Sequence, residues 1–263
     1  MSSKTDRRAK EILHLLLQQG KTAVDDLSAT LDISPASIRR DLTRLEEQGL
    51  VHRTHGGVML AGAGQAVYEP FRLDASFQIR EDRFAQEKLR IARAAAALVQ
   101  DGETIGLSAG TTTAQIARQL RERKNLHVVT NAVNIGMELS TNPDLETTLT
   151  GGYLRWAGAF TLVGPVAIET LSTVVLRRVF LGVTGINAQR GATVIQAEEA
   201  AVFRAMARAA QQVVVVADSS KISLISPAVV CQPNAIQVLV TDDGISKAAH
   251  AEFAAAGIQV LIA

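Results

Sequence analysis

The sequence predicts an α/β protein in two parts, an N-terminal winged helix-turn-helix domain followed by a mostly parallel α/β sheet domain. Within the first 60 residues, apolar residues at helical spacing and capping signals precede a short glycine-containing tail. Beyond residue 87, short apolar runs alternate with helical stretches, as in a parallel sheet covered by helices. With 263 residues and 47% apolar content, the chain is long enough for two domains with substantial cores.

The most clearly specified element is a helix that begins at Ser34 and continues to Leu45. Ser34 can accept a hydrogen bond from a free helical N–H, and Pro35 suits the first turn because its missing N–H costs nothing there. Apolar residues at spacings of four and three form one buried stripe: Ile38, Leu42 and Leu45. The polar residues on the other faces would meet solvent or DNA: Ser37, Arg39, Arg40, Thr43 and Arg44. This arrangement is typical of a DNA recognition helix.

Two further helices are predicted before the recognition helix. Apolar residues within 24–31 have helical spacing, and residues 32–33 leave only a tight connection, which indicates a helix-turn-helix. An earlier apolar-periodic stretch at 12–17 predicts a third helix that ends near Gly20.

The tail after the recognition helix is predicted to form a wing. Residues 50–58 would make two short strands, and glycines at 56–57 would permit the bend. In this wing Arg53 and His55 would approach the phosphate backbone or a minor groove. The alternative interpretation is an ordinary three-helix subdomain with a solvated basic face. The coincidence of cap, tight turn, apolar stripe and wing favours DNA binding.

The second part of the chain predicts seven parallel strands. The apolar runs that would form them are at 104–107, 127–130, 147–149, 179–183, 213–217, 236–240 and 258–262. Helices are predicted between them, among others at 87–98, 112–123, 198–210 and 246–256.

The residues that follow these runs are polar and rich in glycine. In a parallel sheet, ligands bind beyond the carboxyl ends of the strands, and a helix that opens with glycine and threonines attracts an anion such as phosphate. The predicted effector-binding residues are Gly110, Thr111, Thr112, Thr113, Thr130, Asn131, Gly151, Gly152, Arg155, Asp218 and Lys221. Residues 184–187 are expected to form another of these loops. Each segment alone could be a helix cap or a surface turn, but their recurrence favours a site for a phosphorylated polyol.

Several functions are disfavoured by composition and missing motifs. A net charge of +1 does not suit a general polyanion binder, and neither GxGxxG nor GK[ST] occurs, so no nucleotide cofactor is expected. The single Cys231 excludes an internal disulfide and is interpreted as a small apolar residue, and the histidines show no metal-binding spacing. No apolar run is long enough to span a membrane and no signal-peptide core follows the N-terminus, so a cytoplasmic protein is expected.

The motifs resemble the DeoR family of bacterial transcription regulators over nearly the whole chain. In the first part the resemblance is carried by Arg7, Ile12, residues 24–27, Ser34, residues 38–42, Leu45, Glu46, Gly49 and residues 53–57. In the second part it is carried by residues 110–113, 130–131, 151–152, 164–165, 180–182, 185–186 and 218–221. The resemblance implies that Arg39, Arg40 and Arg44 face operator DNA.

The resemblance also implies a fold and a function for the second part. It implies a sensor domain similar to the ribose-5-phosphate isomerase and CoA-transferase fold, and a repressor of a sugar-catabolism operon that a phosphorylated sugar releases from its operator. The domains would be 1–60 for DNA binding, 61–86 as linker with a connecting helix, and 87–263 for effector sensing and oligomerisation. A homodimer or homotetramer would place pairs of winged helices on repeated half-sites.

One residue departs from the family pattern. Ser108 stands where many family members carry an aspartate, so effector specificity differs or Glu198, Glu199 or Asp218 supplies the carboxylate. For Glu198 and Glu199 the alternative is a solvated first turn of a helix.

Other functions remain open from the sequence alone. The same sheet supports isomerases and transferases, although no histidine or cysteine lies in the candidate loops. An adaptor whose sheet only oligomerises, or an activator, is also compatible with the sequence.

Overall fold

The computed structural model of the chain describes residues 8–9, 11–13, 15–16, 21–47, 51–54, 57–60, 77–155 and 160–263. Contacts divide the chain into two compact units, Met1–Arg83 and Phe84–Ala263. The finer division into residues 1–60, 61–86 and 87–263 stays a prediction.

The first unit contains the predicted helix-turn-helix and its wing. Its elements are α1 (Val24–Leu31), α2 (Pro35–Glu47), β1 (Val51–Thr54), β2 (Gly57–Leu60) and α3 (Phe77–Asp82). Strands β1 and β2 pair antiparallel, and Thr22 adds an isolated antiparallel bridge to Val58. Other predicted features lie outside the described residues: Gly20, Gly49, the wing residue His55, Gly56 and the linker at 61–76.

One apolar cluster holds the first unit together. Its buried members are Ile12, Leu13, Leu16, Leu27, Ile38, Leu42, Leu45, Val51 and Val58. The predicted stripe of the recognition helix α2 is therefore buried, together with side chains from α1 and both wing strands. Burial of each large aliphatic side chain contributes about 1.5–3 kcal/mol, so this cluster sets the orientation of α2.

The second unit alternates strands and helices. Its elements are α4 (Ala85–Ala96), β3 (Thr104–Leu107), α5 (Thr111–Leu120), β4 (Leu126–Thr130), α6 (Val133–Leu139), β5 (Leu145–Leu149), β6 (Tyr153–Arg155), β7 (Thr161–Val163), α7 (Pro165–Ser172), β8 (Arg178–Gly182), β9 (Gly185–Asn187), β10 (Gly191–Val194), α8 (Ala197–Ala209), β11 (Val213–Val216), β12 (Ala228–Cys231), β13 (Val238–Thr241), α9 (Lys247–Ala255) and β14 (Gln259–Ile262). Short 3-10 turns occur at Ser219–Lys221 and Pro233–Ala235.

All seven predicted apolar runs form strands of one parallel sheet. The strand order is β14-β13-β11-β8-β3-β4-β5. Every residue of β11 and of β13 is buried, as expected for strands covered on both faces. The edge strands β5 and β14 are only partly buried. The four predicted helices correspond to α4, α5, α8 and α9, with shifted ends.

Two small antiparallel sheets were not predicted. Strands β6 and β7 form a hairpin, and β12, β10 and β9 form a three-stranded sheet. The interpretation of residues 184–187 as a loop was therefore wrong, because Gly185–Asn187 is β9, and Arg155 ends a strand instead of lying in a loop. These strands are three or four residues long and pair with segments distant in sequence, so local hydrophobic periodicity does not reveal them.

Candidate functional site

The recognition helix α2 begins as the sequence predicts. The backbone N–H of Ser37 donates to Oγ of Ser34 at 3.4 Å, and the N–H of Ile38 donates to the Ser34 carbonyl at 3.1 Å. Ser34 therefore caps the helix, which removes the cost of free N–H groups at its start.

The predicted DNA-binding side chains of the described region differ in exposure. Ser34, Arg39, Arg40, Thr43 and Arg53 are exposed, whereas Ser37 and Arg44 are half-buried. The exposed guanidinium groups of Arg39 and Arg40 are thus on the side of α2 opposite the apolar stripe. This is the face that a recognition helix presents to the major groove.

Arg53 connects the wing to the recognition helix. Its Nη2 atom donates to the Arg39 carbonyl at 2.7 Å and to Oγ1 of Thr43 at 2.6 Å. Its backbone N–H donates to Oε1 of Glu46 at 3.1 Å, and its Nε atom lies 3.4 Å from Oε2 of the same carboxylate. Glu46 is part of the family resemblance, but its contact with the wing was not predicted, because a contact across seven residues between helix and strand leaves no periodic signal.

A second ion pair fixes the inner side of α2. Asp41 is only 3% exposed, and its Oδ2 atom accepts a hydrogen bond from Nε of Arg8. This hydrogen bond raises the pKa of the Arg8 guanidinium. Asp41 therefore faces away from the exposed arginines, and a buried carboxylate is tolerated there because it is paired.

In the second unit, the segments after the parallel strands are linked by hydrogen bonds at one edge of the sheet, here called the carboxyl edge. The N–H of Ala109 donates to Oδ1 of Asn131 at 2.9 Å. The N–H of Gly182 donates to Oγ of Ser108 at 3.0 Å. The N–H of Thr150 donates to the Thr130 carbonyl at 3.0 Å. These hydrogen bonds bring together the predicted segments that follow β3, β4 and β5, and they join the segment after β3 to the end of β8.

Helix α5 opens at this edge with the predicted anion-binding sequence. Gly110 precedes the helix, and Thr111, Thr112 and Thr113 form its first turn. Oγ1 of Thr113 donates to the Gly110 carbonyl at 3.0 Å, so this hydroxyl has a local partner. The N–H groups of a first helical turn point outward along the axis and suit an anion.

Thr130 and Asn131 are fully buried and hold the edge together. Oγ1 of Thr130 donates to the Leu107 carbonyl at 2.7 Å and accepts from the N–H of Ala132 at 3.1 Å. The Asn131 side chain also donates from Nδ2 to the Leu162 carbonyl at 3.2 Å. These hydrogen bonds position the β3 and β4 loops, and direct contact of either residue with an effector stays a prediction.

Ser108, which departs from the family pattern, is also fully buried. Its Oγ atom accepts from Gly182 and donates to the Ala109 carbonyl at 3.3 Å. The hydroxyl therefore links the β3 loop to the end of β8.

The glycine pair after β5 is required by backbone geometry. Gly152 has φ +103°, and a Cβ atom there would lie 2.3 Å from the carbonyl oxygen of Val163. Strand β6 then carries Tyr153, whose hydroxyl donates to Oε1 of Glu198 at 2.9 Å, which raises the pKa of Tyr153. The exposed Glu198 therefore has a hydrogen-bond partner on the hairpin, and its part in effector binding stays a prediction.

The turn after β11 rests on an acidic residue that sequence reasoning missed. Asp242, 2% exposed, accepts from the N–H of Ser219 at 2.6 Å and from the N–H of Gly244 at 2.9 Å. Asp218 is also buried and accepts from Oγ of Ser220. These contacts fix the turn that ends at the predicted cation Lys221. Asp242 follows the sixth predicted strand run, so inspection of every run's carboxyl end could have found it.

Two negative findings apply to the described part of the chain. It contains no group of three or more His, Cys, Asp or Glu residues placed to hold a metal ion. None of its helices is long and apolar enough to cross a membrane.

A winged helix-turn-helix with exposed arginines and a separate sheet with a polar carboxyl edge define a DNA-binding regulator with a sensor domain. The family of DeoR-like helix-turn-helix domains matches residues 8–62, and the family of DeoR C-terminal sensor domains matches residues 83–243. The chain therefore belongs to the DeoR family of transcriptional regulators. It is a regulator and not an enzyme.

Curated relatives match over most of their length. The HTH-type transcriptional regulator GolR of Listeria innocua is 33% identical over 97% of this chain and 98% of its own. The HTH-type transcriptional repressor GlcR of Bacillus subtilis is 33% identical over 90% of this chain and 88% of its own. The glycerol-3-phosphate regulon repressor of Escherichia coli is 31% identical over 83% of each chain.

Solved structures that are similar to this chain include ribose 5-phosphate isomerases. The enzyme from Methanocaldococcus jannaschii has a TM-score of 0.38 and 20% identity, with 53% of this chain and 55% of the enzyme covered. The enzyme from Neisseria gonorrhoeae has a TM-score of 0.37 and 19% identity, with 53% of each chain covered.

Proposed function

We propose that this DeoR-family regulator represses a sugar-catabolic operon and leaves its operator when a phosphorylated sugar binds at the carboxyl edge of the sheet. The observation that supports the effector site is the hydrogen-bonded cluster of loops around the start of α5. The relatives named repressors, one of them of a glycerol-3-phosphate regulon, support repression as the direction of control.

In this proposal the phosphate group binds at the first turn of α5. The N–H groups of residues 111–113 and the hydroxyls of Thr111 and Thr112 donate to it, and Lys221 supplies a positive charge. Arg155 is the second cation of the site. Gly110, Gly151 and Gly152 allow close approach of the ligand to the backbone.

The remaining predicted effector residues act on the sugar or on the loops. Asp218 is a candidate acceptor for sugar hydroxyls in place of the aspartate that Ser108 replaces. Thr130, Asn131 and Thr113 would act mainly by holding the loops in position, because their side chains already have hydrogen-bond partners.

On the DNA side, Arg39 and Arg40 would enter the major groove from the exposed face of α2, with Thr43 and Arg44 beside them. Ser34 and Ser37 at the start of the helix would contact phosphate, and the wing residues Arg53 and His55 would reach the backbone beside the groove.

A homodimer or homotetramer would present two recognition helices to repeated half-sites about one helical turn apart. Each effector molecule would favour an arrangement of the DNA-binding units that fits these half-sites poorly. A regulator of operator DNA acts where the chromosome is, which for a bacterial protein is the cytoplasm.

The deciding experiment is operator binding by fluorescence anisotropy, with DNA that flanks the protein's own gene. Hexose, pentose, amino-sugar and polyol phosphates are added one at a time, each beside the unphosphorylated sugar as its control. Release of the DNA by one phosphorylated sugar, and not by its control, is expected. Tight binding that none of these compounds changes would contradict the proposed effector class.

A further inference from the structure

The second unit contains a cavity at the end of the sheet opposite the carboxyl edge. Its volume is about 640 Å³, within the usual range of small-molecule sites. Val213, at the amino end of β11, lines it, whereas the predicted effector residues follow the carboxyl ends of strands. The four-residue strand alone separates the two ends by roughly 10 Å. The cavity is therefore a different place from the proposed sugar-phosphate site.

Two arginines of helix α8 line this cavity, Arg204 and Arg208, one helical turn apart. Nη1 of the half-buried Arg204 donates to the Val229 carbonyl. Within the described residues neither guanidinium has a carboxylate within ion-pair distance. Two cations without counter-charges at one cavity create a positive potential there.

Two of the three glutamines that line the cavity, Gln211 and Gln237, use their side-chain carbonyl oxygens within the protein. Oε1 of Gln237 accepts from the N–H of Val213 at 2.8 Å, and Oε1 of Gln211 accepts from Nη1 of Arg177 at 2.8 Å. Their side-chain NH2 groups have no hydrogen-bond partner among the described residues. Because the amide nitrogens of Gln211 and Gln237 still have N–H groups to donate, the lining can serve a ligand that accepts hydrogen bonds.

Apolar side chains also line the cavity, including Ala207, Val229 and Val230, beside the polar side chains of Gln232 and Asn234. Cys231 also lines the cavity, and burial raises the pKa of its thiol to about 11, so it adds no negative charge near neutral pH. This lining differs from the hydroxyl-rich carboxyl edge. It suits a ligand with a charged end and an apolar end better than a sugar phosphate, which is polar throughout.

We propose that this cavity is a second ligand site, which binds a small organic anion with a carboxylate or phosphate head and a short apolar body. The head lies between Arg204, Arg208 and the two glutamine amides. The apolar body lies along the alanine and valine side chains. The site is independent of the proposed sugar-phosphate function.

The test is titration calorimetry on the full chain with sodium hexanoate and hexyl phosphate as probes, beside the neutral hexanamide and inorganic phosphate. Saturable binding of at least one organic anion is expected, and the two heads distinguish carboxylate from phosphate recognition. No saturable binding of either anion would overturn the proposal. Binding of hexanamide or inorganic phosphate as tight as that of the anions would overturn it as well.

Variants locate the binding. Arg208→Gln changes an exposed side chain that has no hydrogen bond or ion pair among the described residues, and it should weaken anion binding by about tenfold. The double variant Arg204→Gln, Arg208→Gln should abolish it. Arg190→Gln, which changes an exposed arginine that is not part of the lining, is the matched control and should bind normally. Anion binding that survives in the double variant but is lost in Lys221→Ala would place the ligand at the carboxyl edge and overturn the proposal.

Discussion

At the scale of single residues, the recognition helix carries two kinds of arginine contact. Arg40 is exposed, and its guanidinium has no hydrogen bond or ion pair among the described residues. Arg40→Ala should weaken operator binding and reduce the salt slope of log K by about 1 if the contact is to a phosphate. Anisotropy titrations at several salt concentrations measure both quantities. Arg190→Ala in the sensor unit is the control. An operator affinity of Arg40→Ala equal to that of the unchanged protein would contradict the placement of Arg40 against the DNA.

Glu46 acts by another route, because it holds Arg53 of the wing and does not itself face an anion. Glu46→Gln removes the charge that pairs with the Arg53 guanidinium. We expect weaker operator binding with an unchanged salt slope, since the number of phosphate contacts stays the same while the wing is less well positioned. Glu47→Gln, an exposed neighbour on the same helix, is the matched control. A smaller salt slope of log K in Glu46→Gln would count against a positioning role. Equal losses of operator affinity in Glu46→Gln and Glu47→Gln would count against it as well.

At the scale of elements, the turn at Ser219–Lys221 depends on Asp242. Asp242→Ala leaves the N–H groups of Ser219 and Gly244 without their acceptor, which costs about 1–3 kcal/mol of unfolding free energy. The variant should retain operator binding but need more effector for release, because Lys221 is no longer held in place. Thermal unfolding and effector titrations of the operator complex measure the two effects.

The neighbouring residue provides the control for that prediction. Asp243→Ala removes an exposed ion pair with Arg90, which is worth little in water. It should change neither the response to effector nor the unfolding free energy by more than about 0.5 kcal/mol. If Asp242→Ala and the unchanged protein release the operator at the same effector concentration, the turn has no part in sensing.

The elements also show how far the sequence determines this fold. All seven strands of the parallel sheet and the helix-turn-helix were predicted, because the spacing of apolar residues within each short segment indicates the element that it forms. The β6–β7 hairpin and the β12-β10-β9 sheet were missed, since short strands are stabilised by partners distant in sequence. The same limit applies to the sites: segments of residues were predicted, but the roles of Glu46 and Asp242 depend on contacts that only the folded chain brings together.

At the scale of the whole molecule, the proposed function requires thermodynamic coupling between operator and effector. If the effector weakens operator binding by about 1–3 kcal/mol, the operator must weaken effector binding by the same factor. Titration calorimetry with the effector that releases DNA should therefore give a lower affinity for the operator-bound protein than for the free protein. The ratio should equal the change in operator affinity measured by anisotropy under the same salt conditions.

Arg40→Ala distinguishes this coupling from direct displacement of the operator by an effector that binds at the DNA-binding surface. It changes a residue of the first unit and should leave effector binding to the free protein unchanged, while the weaker operator complex still shows the same coupling ratio. An effector affinity that is identical with and without saturating operator would contradict the release mechanism, even if both ligands bind tightly. An affinity of the effector for the free protein that falls in Arg40→Ala would mean that the effector binds at the DNA-binding surface and does not act through the carboxyl edge of the sheet.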